Sequence, residues 1–443
     1  MNRFFKFALG LSAVPLAAAA LVWALNLRED VDVDTAAPVS VAAVTTNLIQ
    51  RGAYLARAGN CMSCHTARGG QQYAGGRGIA TPFGTVFSSN LTPDDSTGIG
   101  SWSAAHFWRA MHNGRSKDGR LLYPAFPYPN YTQVTRDDSD ALFAYLKSLP
   151  AAVQPNLDHA LRFPYQTQAA LAVWRALYFS PGVYQPDASH NAEWNRGAYL
   201  VNGLGHCSAC HTARNVWGAT AGLDLAGGLI PVQNWYAPSL VSPHEAGVGD
   251  WERQDIVSLL KNGVSARASV AGPMAEVVLG STQYLSDADL GAMAQFLKEL
   301  APAPAGTSKP GLGKIAVMAT SPAARNAVVS DAVAEKGAKL YEQHCAQCHG
   351  DKGQGVANAY PALAGNRAVL MTQTANLVQI VLAGGYAPAT IGNPRPYGMP
   401  PFVLVLNDND IAALLTHLRS AWGNQASAVT PLEVNRIRAN QAR

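Results

Sequence analysis

Apolar residues recur at helical spacing in three similar regions of this chain. Between positions 137 and 149, for example, Leu142, Tyr145, Leu146 and Leu149 recur at intervals that place them on one face of a helix. In each region a first helix is predicted to lead into a pair of cysteines, and a second helix and a closing helix follow. The closing helices start at Asp or Ser residues suited to an N-cap or first turn. The predicted pairs are Ser103–Asn113 with Asp137–Leu149, Trp251–Asn262 with Asp287–Leu300, and Thr374–Ala383 with Asp408–Trp422.

A five-residue pattern repeats ahead of three cysteine pairs. It occurs as Arg51-Gly-Ala-Tyr-Leu55, Arg196-Gly-Ala-Tyr-Leu200 and Lys336-Gly-Ala-Lys-Leu340. The pairs recur about every 140 residues, a period that is the size of a domain and longer than a solenoid repeat. Strand signals are weak throughout. The sequence therefore predicts three all-α domains in tandem.

The predicted domains span residues 45–150, 194–301 and 331–424. Residues 151–193 are expected to form a connecting segment with one helix, Gln168–Phe179. Residues 302–330 are rich in Pro and Gly and predict an extended linker. Residues 425–443 are expected to form a C-terminal tail.

Residues 1–30 are expected to be a membrane anchor or a signal segment. Arg3 and Lys6 precede an uncharged apolar stretch from Phe7 to about Leu27, close to the ~20 residues that span a bilayer as a helix. Acidic residues follow, and this order of charges predicts that the chain is exported. An uncleaved helix in the bacterial inner membrane, with the rest of the chain in the periplasm, is favoured. The alternative is a signal peptide cut near Ala18–Ala20.

Composition sets limits on the function. The chain has 443 residues, 48% of them hydrophobic, which is ample for packed cores. Its net charge of +4 comes without a dense Lys/Arg run, so no nucleic-acid partner is predicted. No G-x-G-x-x-G follows a predicted strand, which gives no sign of a flavin or nicotinamide domain. No substrate-oxidising site is therefore predicted within this chain.

All six cysteines belong to C-x-x-C-H motifs. These are Cys61-Met-Ser-Cys64-His65, Cys207-Ser-Ala-Cys210-His211 and Cys345-Ala-Gln-Cys348-His349. Positions i, i+3 and i+4 share one face of a helical turn, so both thiols can reach the vinyl groups of one porphyrin and the histidine can bind its iron. A single motif is also compatible with a redox dithiol or a partial zinc site. Three evenly spaced motifs predict three covalent haem c groups, with His65, His211 and His349 as iron ligands.

The predicted fold is thus all-α, with three tandem class I-like cytochrome c domains preceded by an N-terminal apolar helix. An iron that only relays electrons needs a sixth ligand, and methionine raises its potential. Met274, in Gly-Pro-Met-Ala, and Met399, in Gly-Met-Pro-Pro-Phe, lie between the second and closing helices, where a ligand loop is expected. Core packing is the alternative role for each.

The first domain departs from this pattern. Its corresponding loop has Phe126, which cannot bind iron. The candidates that remain are Met111, His106 and His112, on or near the predicted helix Ser103–Asn113. We prefer Met111; a histidine ligand and a five-coordinate, open iron are the alternatives.

Several segments outside the cysteine motifs are specific enough to indicate a family. They are Arg51-Gly-Ala-Tyr-Leu55, Ser89-Asn-Leu-Thr-Pro93 with Gly98-Ile-Gly100, Leu122-Tyr-Pro-Ala125, Gly272–Val277 with Ser281–Leu285, and Met399-Pro-Pro-Phe402. With these, the chain resembles the three-haem cytochrome c subunits of membrane-bound bacterial dehydrogenases that act on alcohol, gluconate, fructose, sorbitol or aldehydes. The resemblance runs from about residue 47 to residue 422.

The resemblance implies a role and a partner. Such subunits take electrons from a separate catalytic dehydrogenase subunit that carries a quinone, flavin or molybdenum cofactor, and pass them to membrane ubiquinone in the respiratory chain. Many members have methionine where this chain has Phe126. Two alternatives remain: a free or anchored multihaem electron carrier, and a haem peroxidase that works at an open first haem, with His106 or His112 as its acid–base group.

Overall fold

The computed structural model describes residues 15–28, 45–220, 222–300, 330–357 and 359–441. The first part of the predicted anchor, and the predicted linker apart from Ser330, lie outside these ranges. The chain divides into two compact units, one made of Met1–Asp187 with Val201–His206 and the other of Ala188–Leu200 with Cys207–Arg443. Helices predominate in both, as predicted, although each unit also contains short antiparallel strands that the sequence did not predict.

The first unit contains the elements α1 to α7 and β1 to β3. They are α1 (15–26), α2 (Thr46–Ala58), α3 (Cys61–Cys64), β1 (Gly78–Thr81), β2 (Gly84–Phe87), α4 (Ala104–Asn113), α5 (Tyr128–Tyr131), α6 (Arg136–Lys147), β3 (Ala160–Leu161) and α7 (Gln168–Tyr178). Across the described ranges, no helix combines the length and the apolar character needed to span a membrane.

Helices α2 and α6 pack against each other in the first unit. Leu55 of α2 and Leu142 of α6 are at most 2% exposed. Gly52 lies so close to α6 that a β-carbon there would overlap the carbonyl oxygen of Ala141. One turn nearer the start of α6, the Arg51 guanidinium pairs with the Asp138 carboxylate at 2.5 Å. The predicted closing helix is therefore confirmed, and its partner is the helix that carries the five-residue repeat.

The connecting segment packs onto the first unit. Strand β3 pairs with β2, which also pairs with β1, in an antiparallel sheet of order β1-β2-β3. The backbone N–H of Leu121 donates to Gln168 Oε1 at 2.7 Å, which fixes the start of α7. The predicted helix in this segment is confirmed, and the strand is an addition to it.

The second unit repeats the same plan twice. Its elements are α8 (Ala192–Tyr199), α9 (Ser208–His211), β4 (Gly228–Ile230), β5 (Trp235–Ala237), α10 (Arg253–Asn262), α11 (Pro273–Gly280), a 3₁₀ turn (Thr282–Tyr284), α12 (Asp287–Lys298), α13 (Asp331–His344), α14 (Ala346–His349), α15 (Arg367–Leu370), α16 (Ala375–Ala383), β6 (Gly385–Tyr386), β7 (Gly398–Met399), α17 (Asp408–Ser420) and α18 (Pro431–Gln441). After α8 the chain forms a π-helical turn (Leu200–Leu204), which belongs to the first unit from Val201 onward. Helix α8 packs against α12, and α13 packs against α17.

Residues 425–443, predicted to be a tail, contain helix α18. Val434 of α18 is fully buried in the hydrophobic core built on α16 and α17. Arg438 of the same helix pairs with Asp408 at the start of α17, with 2.6 Å between Nε and Oδ1. Residues 425–443 thus include a packed helix, because Val429 and Val434 are buried in a core formed with distant residues.

Candidate functional site

Each C-x-x-C-H motif forms one helical turn. The backbone N–H of the motif histidine donates to the carbonyl of the first cysteine, at 3.0 Å for His65, 2.9 Å for His211 and 2.9 Å for His349. None of the six cysteines forms a disulfide bond. The two thiols and the imidazole of each motif therefore lie on one turn, as the spacing predicts.

Each motif histidine is oriented by a backbone carbonyl. The Nδ1 atom lies 2.7 Å from Ser89 O in His65, 2.7 Å from Pro238 O in His211 and 2.9 Å from Pro361 O in His349. A carbonyl oxygen only accepts hydrogen bonds, so Nδ1 carries the proton and Nε2 keeps its lone pair for a metal. This is the arrangement that orients a histidine ligand and raises its basicity.

These carbonyl groups were not predicted from the sequence, although a signal for them exists. Each is followed two positions later by a leucine, in Ser89-Asn-Leu91, Pro238-Ser-Leu240 and Pro361-Ala-Leu363. The acceptor lies 24, 27 and 12 residues after its histidine. Because these separations differ, spacing alone does not identify the acceptor.

Burial sets the protonation of the motif side chains. Burial is the main cause that lowers the pKa of His65, His211 and His349, which favours the neutral imidazole that binds iron. Burial also raises the thiol pKa, to about 12 for Cys61 and Cys207 and to about 11 for Cys345. These three imidazoles and three thiols are thus held neutral, in a site suited to an apolar porphyrin.

These residues fit haem c. The two thiols of a motif would hold the porphyrin covalently, and the oriented histidine would bind its iron through Nε2. When bound, the iron supplies one-electron redox chemistry. The protein contributes attachment, the orientation of the histidine, and exclusion of water.

The structure places the two predicted methionine ligands between the second and closing helices, as expected. Met274 is the second residue of helix α11, which follows α10, and not part of an irregular loop. Met399 lies in strand β7, which pairs with β6 through Gly385. Met399 and Cys345 both pack against the same hydrophobic core cluster. Both assignments as iron ligands stay predictions.

The segment that follows Met399 is held from two sides. Phe402 N donates to Val381 O at 3.0 Å and Val403 N donates to Leu382 O at 3.1 Å, which ties it to α16. From helix α18, Arg438 donates to Val403 O at 2.6 Å. It also donates to the carbonyl of Leu406, at 2.7 Å. The backbone after Met399 is therefore fixed by Val381, Leu382 and Arg438, and Arg438 is itself held by its pair with Asp408.

In the first unit, Phe126 is connected to the start of the attachment turn through Tyr131. Its ring is 5.3 Å from the ring of Tyr131. The Tyr131 hydroxyl donates to Gly59 O at 3.2 Å, two residues before Cys61. Burial, followed by the nearby thiols of Cys61 and Cys64, raises the pKa of Tyr131. A phenyl ring thus occupies the loop in which a ligand is expected.

The other candidate ligands lie on α4. Met111 is 5% exposed and His112 is 4% exposed. His112 Nδ1 lies 2.9 Å from Thr132 O, and its ring stacks on Trp108 at 4.6 Å. His106 completes the capping box of α4 with Ser103. The preference for Met111 stays a prediction.

The helix pairs, the attachment turns and the oriented histidines together define a c-type cytochrome. The cytochrome c family model matches residues 49–150 and 334–422. Covalently bound haem c follows from this match. The division into three cytochrome c domains stays a prediction, since the second motif lies outside the two matched segments.

Three relatives cover most of the chain. The cytochrome c subunit of a quinone alcohol dehydrogenase from Gluconacetobacter polyoxogenes is 39% identical over 88% of this chain and 84% of its own length. The gluconate 2-dehydrogenase cytochrome c subunit of Pantoea cypripedii is 36% identical over 89% and 90%. The fructose dehydrogenase cytochrome subunit of Gluconobacter japonicus is 36% identical over 88% and 82%. The chain belongs to this family of dehydrogenase cytochrome c subunits.

Proposed function

We propose that this chain relays electrons through three covalent haems from a catalytic dehydrogenase subunit to membrane ubiquinone. The observation that carries the proposal is the orientation of His65, His211 and His349 by a backbone carbonyl, which suits each for an iron. A relay needs several redox centres of fixed geometry, and each motif sits on a rigid helical turn.

The second motif supports a third haem and a third cytochrome c domain. It shares the oriented histidine with the other two motifs. An ion pair joins its helices α8 and α12, as one joins α2 and α6. Here Arg196 and Asp289 form a bidentate pair, with both N–O distances at 2.8 Å. The same local design at all three motifs favours the same cofactor at each.

The partner is proposed from the family. The three relatives are named as subunits of alcohol, gluconate and fructose dehydrogenases, so the family serves several substrates. No flavin or nicotinamide motif is seen in this sequence. We propose a separate catalytic dehydrogenase subunit as the electron donor and leave its substrate to experiment.

The test of this function is isolation of the complex from its native membrane. The catalytic subunit that accompanies the cytochrome is identified by mass spectrometry, and its substrate is then added under anaerobic conditions. Haem reduction by substrate, followed by reoxidation on addition of a ubiquinone analogue, is expected. The matched control is the cytochrome without its partner, which should stay oxidised.

Two results would contradict the proposal. A cytochrome that purifies alone from intact membranes and accepts electrons from no dehydrogenase would favour a multihaem carrier. Rapid turnover of hydrogen peroxide by the isolated chain, abolished in His106→Ala or His112→Ala, would favour the peroxidase alternative.

The proposed location is the periplasmic face of the bacterial inner membrane. The apolar stretch Phe7–Leu27 and the charges on its two sides support an N-terminal anchor. Replacing residues 1–27 by a cleavable signal should release a soluble cytochrome with unchanged haem spectra. A native protein whose first residue lies near or beyond Ala20 would show instead that the segment is a cleaved signal.

A further inference from the structure

Helix α7 presents an apolar face to solvent. Its exposed apolar side chains are Val173 at 46%, Leu177 at 68% and Tyr178 at 36%. Val173 and Leu177 are four positions apart and share one face. The only charged residue of the helix is Arg175, and it is 3% exposed. A surface helix normally places charged residues on its outer side, so this face is unusual.

A further exposed apolar residue lies just before this helix. Phe163 is 81% exposed, in the turn between β3 and α7. Trp174 and Tyr178 lie side by side on α7, with 5.7 Å between ring centroids. Aromatic residues with one polar end are enriched where a membrane meets water. We call Phe163, Val173, Trp174, Leu177 and Tyr178 the α7 face.

The end of the apolar N-terminal segment is fixed to the same helix. Asn26 Nδ2 donates to Ala172 O of α7 at 2.9 Å. Asn26 Oδ1 accepts from Arg175 Nε at 3.0 Å. Arg28 donates to Phe179 O, just after α7, at 3.2 Å. Asn26 is itself 8% exposed, so this is a packed joint.

The contact between the N-terminal segment and α7 indicates that a membrane covers the α7 face. A segment that enters a bilayer and ends against α7 brings that helix to the bilayer surface. Leu21 and Trp23, just before the joint, are 59% and 68% exposed. Arg28 and the exposed Arg162 provide positive charge beside this region, which suits anionic lipid headgroups.

We propose that the α7 face lies in the interfacial layer of the membrane, where its apolar side chains contact lipid. The proposal rests on the membrane anchoring proposed above. A helix of this kind lies along the surface with its apolar side at the headgroup–acyl boundary. With the N-terminal segment it makes two points of attachment, which orient the first unit on the membrane.

The test uses the full chain in vesicles of phosphatidylethanolamine and phosphatidylglycerol. All six native cysteines belong to haem motifs, so one introduced cysteine carries a single nitroxide label. The labelled variants are Val173→Cys and Leu177→Cys, with Val153→Cys as the control because Val153 is 78% exposed outside the α7 face. Spin relaxation by oxygen, which concentrates in lipid, is compared with relaxation by a water-soluble nickel chelate, on the reduced protein.

The expected result is a reversal of accessibility. Labels at 173 and 177 should favour oxygen when vesicles are present, whereas the label at 153 should favour nickel. Adding Leu177→Glu to the 173 label should restore nickel access while the haem spectrum stays unchanged, because a carboxylate is unfavourable in the interfacial layer.

Three outcomes would overturn the proposal. Labels at 173 and 177 that favour nickel in vesicle-bound protein would place the face in water. Labels shielded from both reagents would show a protein partner or a second copy on it. A full chain that does not bind vesicles would remove the anchoring as well, which separates failure of the proposed location from failure of the α7 face alone.

Discussion

Gly197 of helix α8 lies directly against the carbonyl oxygen of Ala292 in helix α12, so that a β-carbon at position 197 would overlap that oxygen. The same relationship joins Gly52 to Ala141 and Gly337 to Ala413. The glycine of the repeated five-residue pattern is therefore the point at which two helix backbones touch. The basic residue before it pairs with an aspartate of the closing helix: Arg51 with Asp138, Arg196 with Asp289 and Lys336 with Asp410.

Gly197→Ala should destabilise the second unit. The added methyl group must push α8 and α12 apart, and overpacking of this kind costs about 1–3 kcal/mol or more. Thermal unfolding followed by circular dichroism should show a lower midpoint. Gly182→Ala is the control, because a β-carbon at Gly182 meets nothing within 4 Å. Equal midpoints for the two variants would contradict the role given to the glycine.

Arg438→Ala should lower the potential of one haem. Without its hydrogen bonds to Val403 O and Leu406 O, the backbone after Met399 loses a support, and if Met399 binds the iron as predicted, its sulfur is held there less firmly. Redox titration should show a shift in the same direction as Met399→Ala, but smaller. Arg436→Ala removes the same charge from an exposed position of α18 and should leave the potential unchanged. Equal shifts in both would assign the effect to charge.

The protein should carry three covalent haems. Each of the three motifs has its thiols on one turn with an oriented histidine, so each should be loaded in a host that matures c-type cytochromes. Acid–acetone should leave the haem on the protein, and the intact mass should exceed that of the polypeptide by three haems. Replacing Cys207 and Cys210 by serine should reduce this to two. An intact mass of the parent protein that corresponds to two haems would contradict the three-haem proposal.

Met274→Ala and Met399→Ala should each lower one haem potential. Thioether ligation favours the reduced iron, so its loss stabilises the ferric state. Each variant should also lose part of the weak sulfur-to-iron absorption at the red end of the spectrum. Met371→Leu is a suitable control, since Met371 is 4% exposed in the third repeat and is not proposed as a ligand. Titrations that match the parent in both alanine variants would refute the assignment.

Met111→Ala should alter the first haem if Met111 binds its iron. The parent protein should then bind carbon monoxide slowly, and the variant should bind it faster and titrate at a lower potential. Phe126→Met provides a matched comparison, since it returns a thioether to the ligand loop. Rapid carbon monoxide binding by the parent, suppressed in Phe126→Met, would instead show that the first iron is open.

The sequence by itself determined haem attachment, because positions i, i+3 and i+4 share a helical turn whatever the rest of the fold does. It also determined the second and closing helices that accompany each motif. The helix predicted over Ser103–Asn113 begins at its cap residue Ser103 and ends at Asn113, and the one over Asp408–Trp422 spans Asp408–Ser420. Local periodicity and capping suffice for helices of this length.

Only the tertiary structure decided which groups complete each site. Pro238 lies 27 residues after His211, and Pro361 lies 12 residues after His349, so no fixed spacing links a histidine to its carbonyl. The strands have two to four residues, too few to show a period in the sequence. Helix α18 depends on Val434 entering a core made by distant helices and on Arg438 meeting Asp408. Such contacts join positions far apart in the chain, so they exist only once the chain has folded, whereas the attachment motif is complete within a single turn.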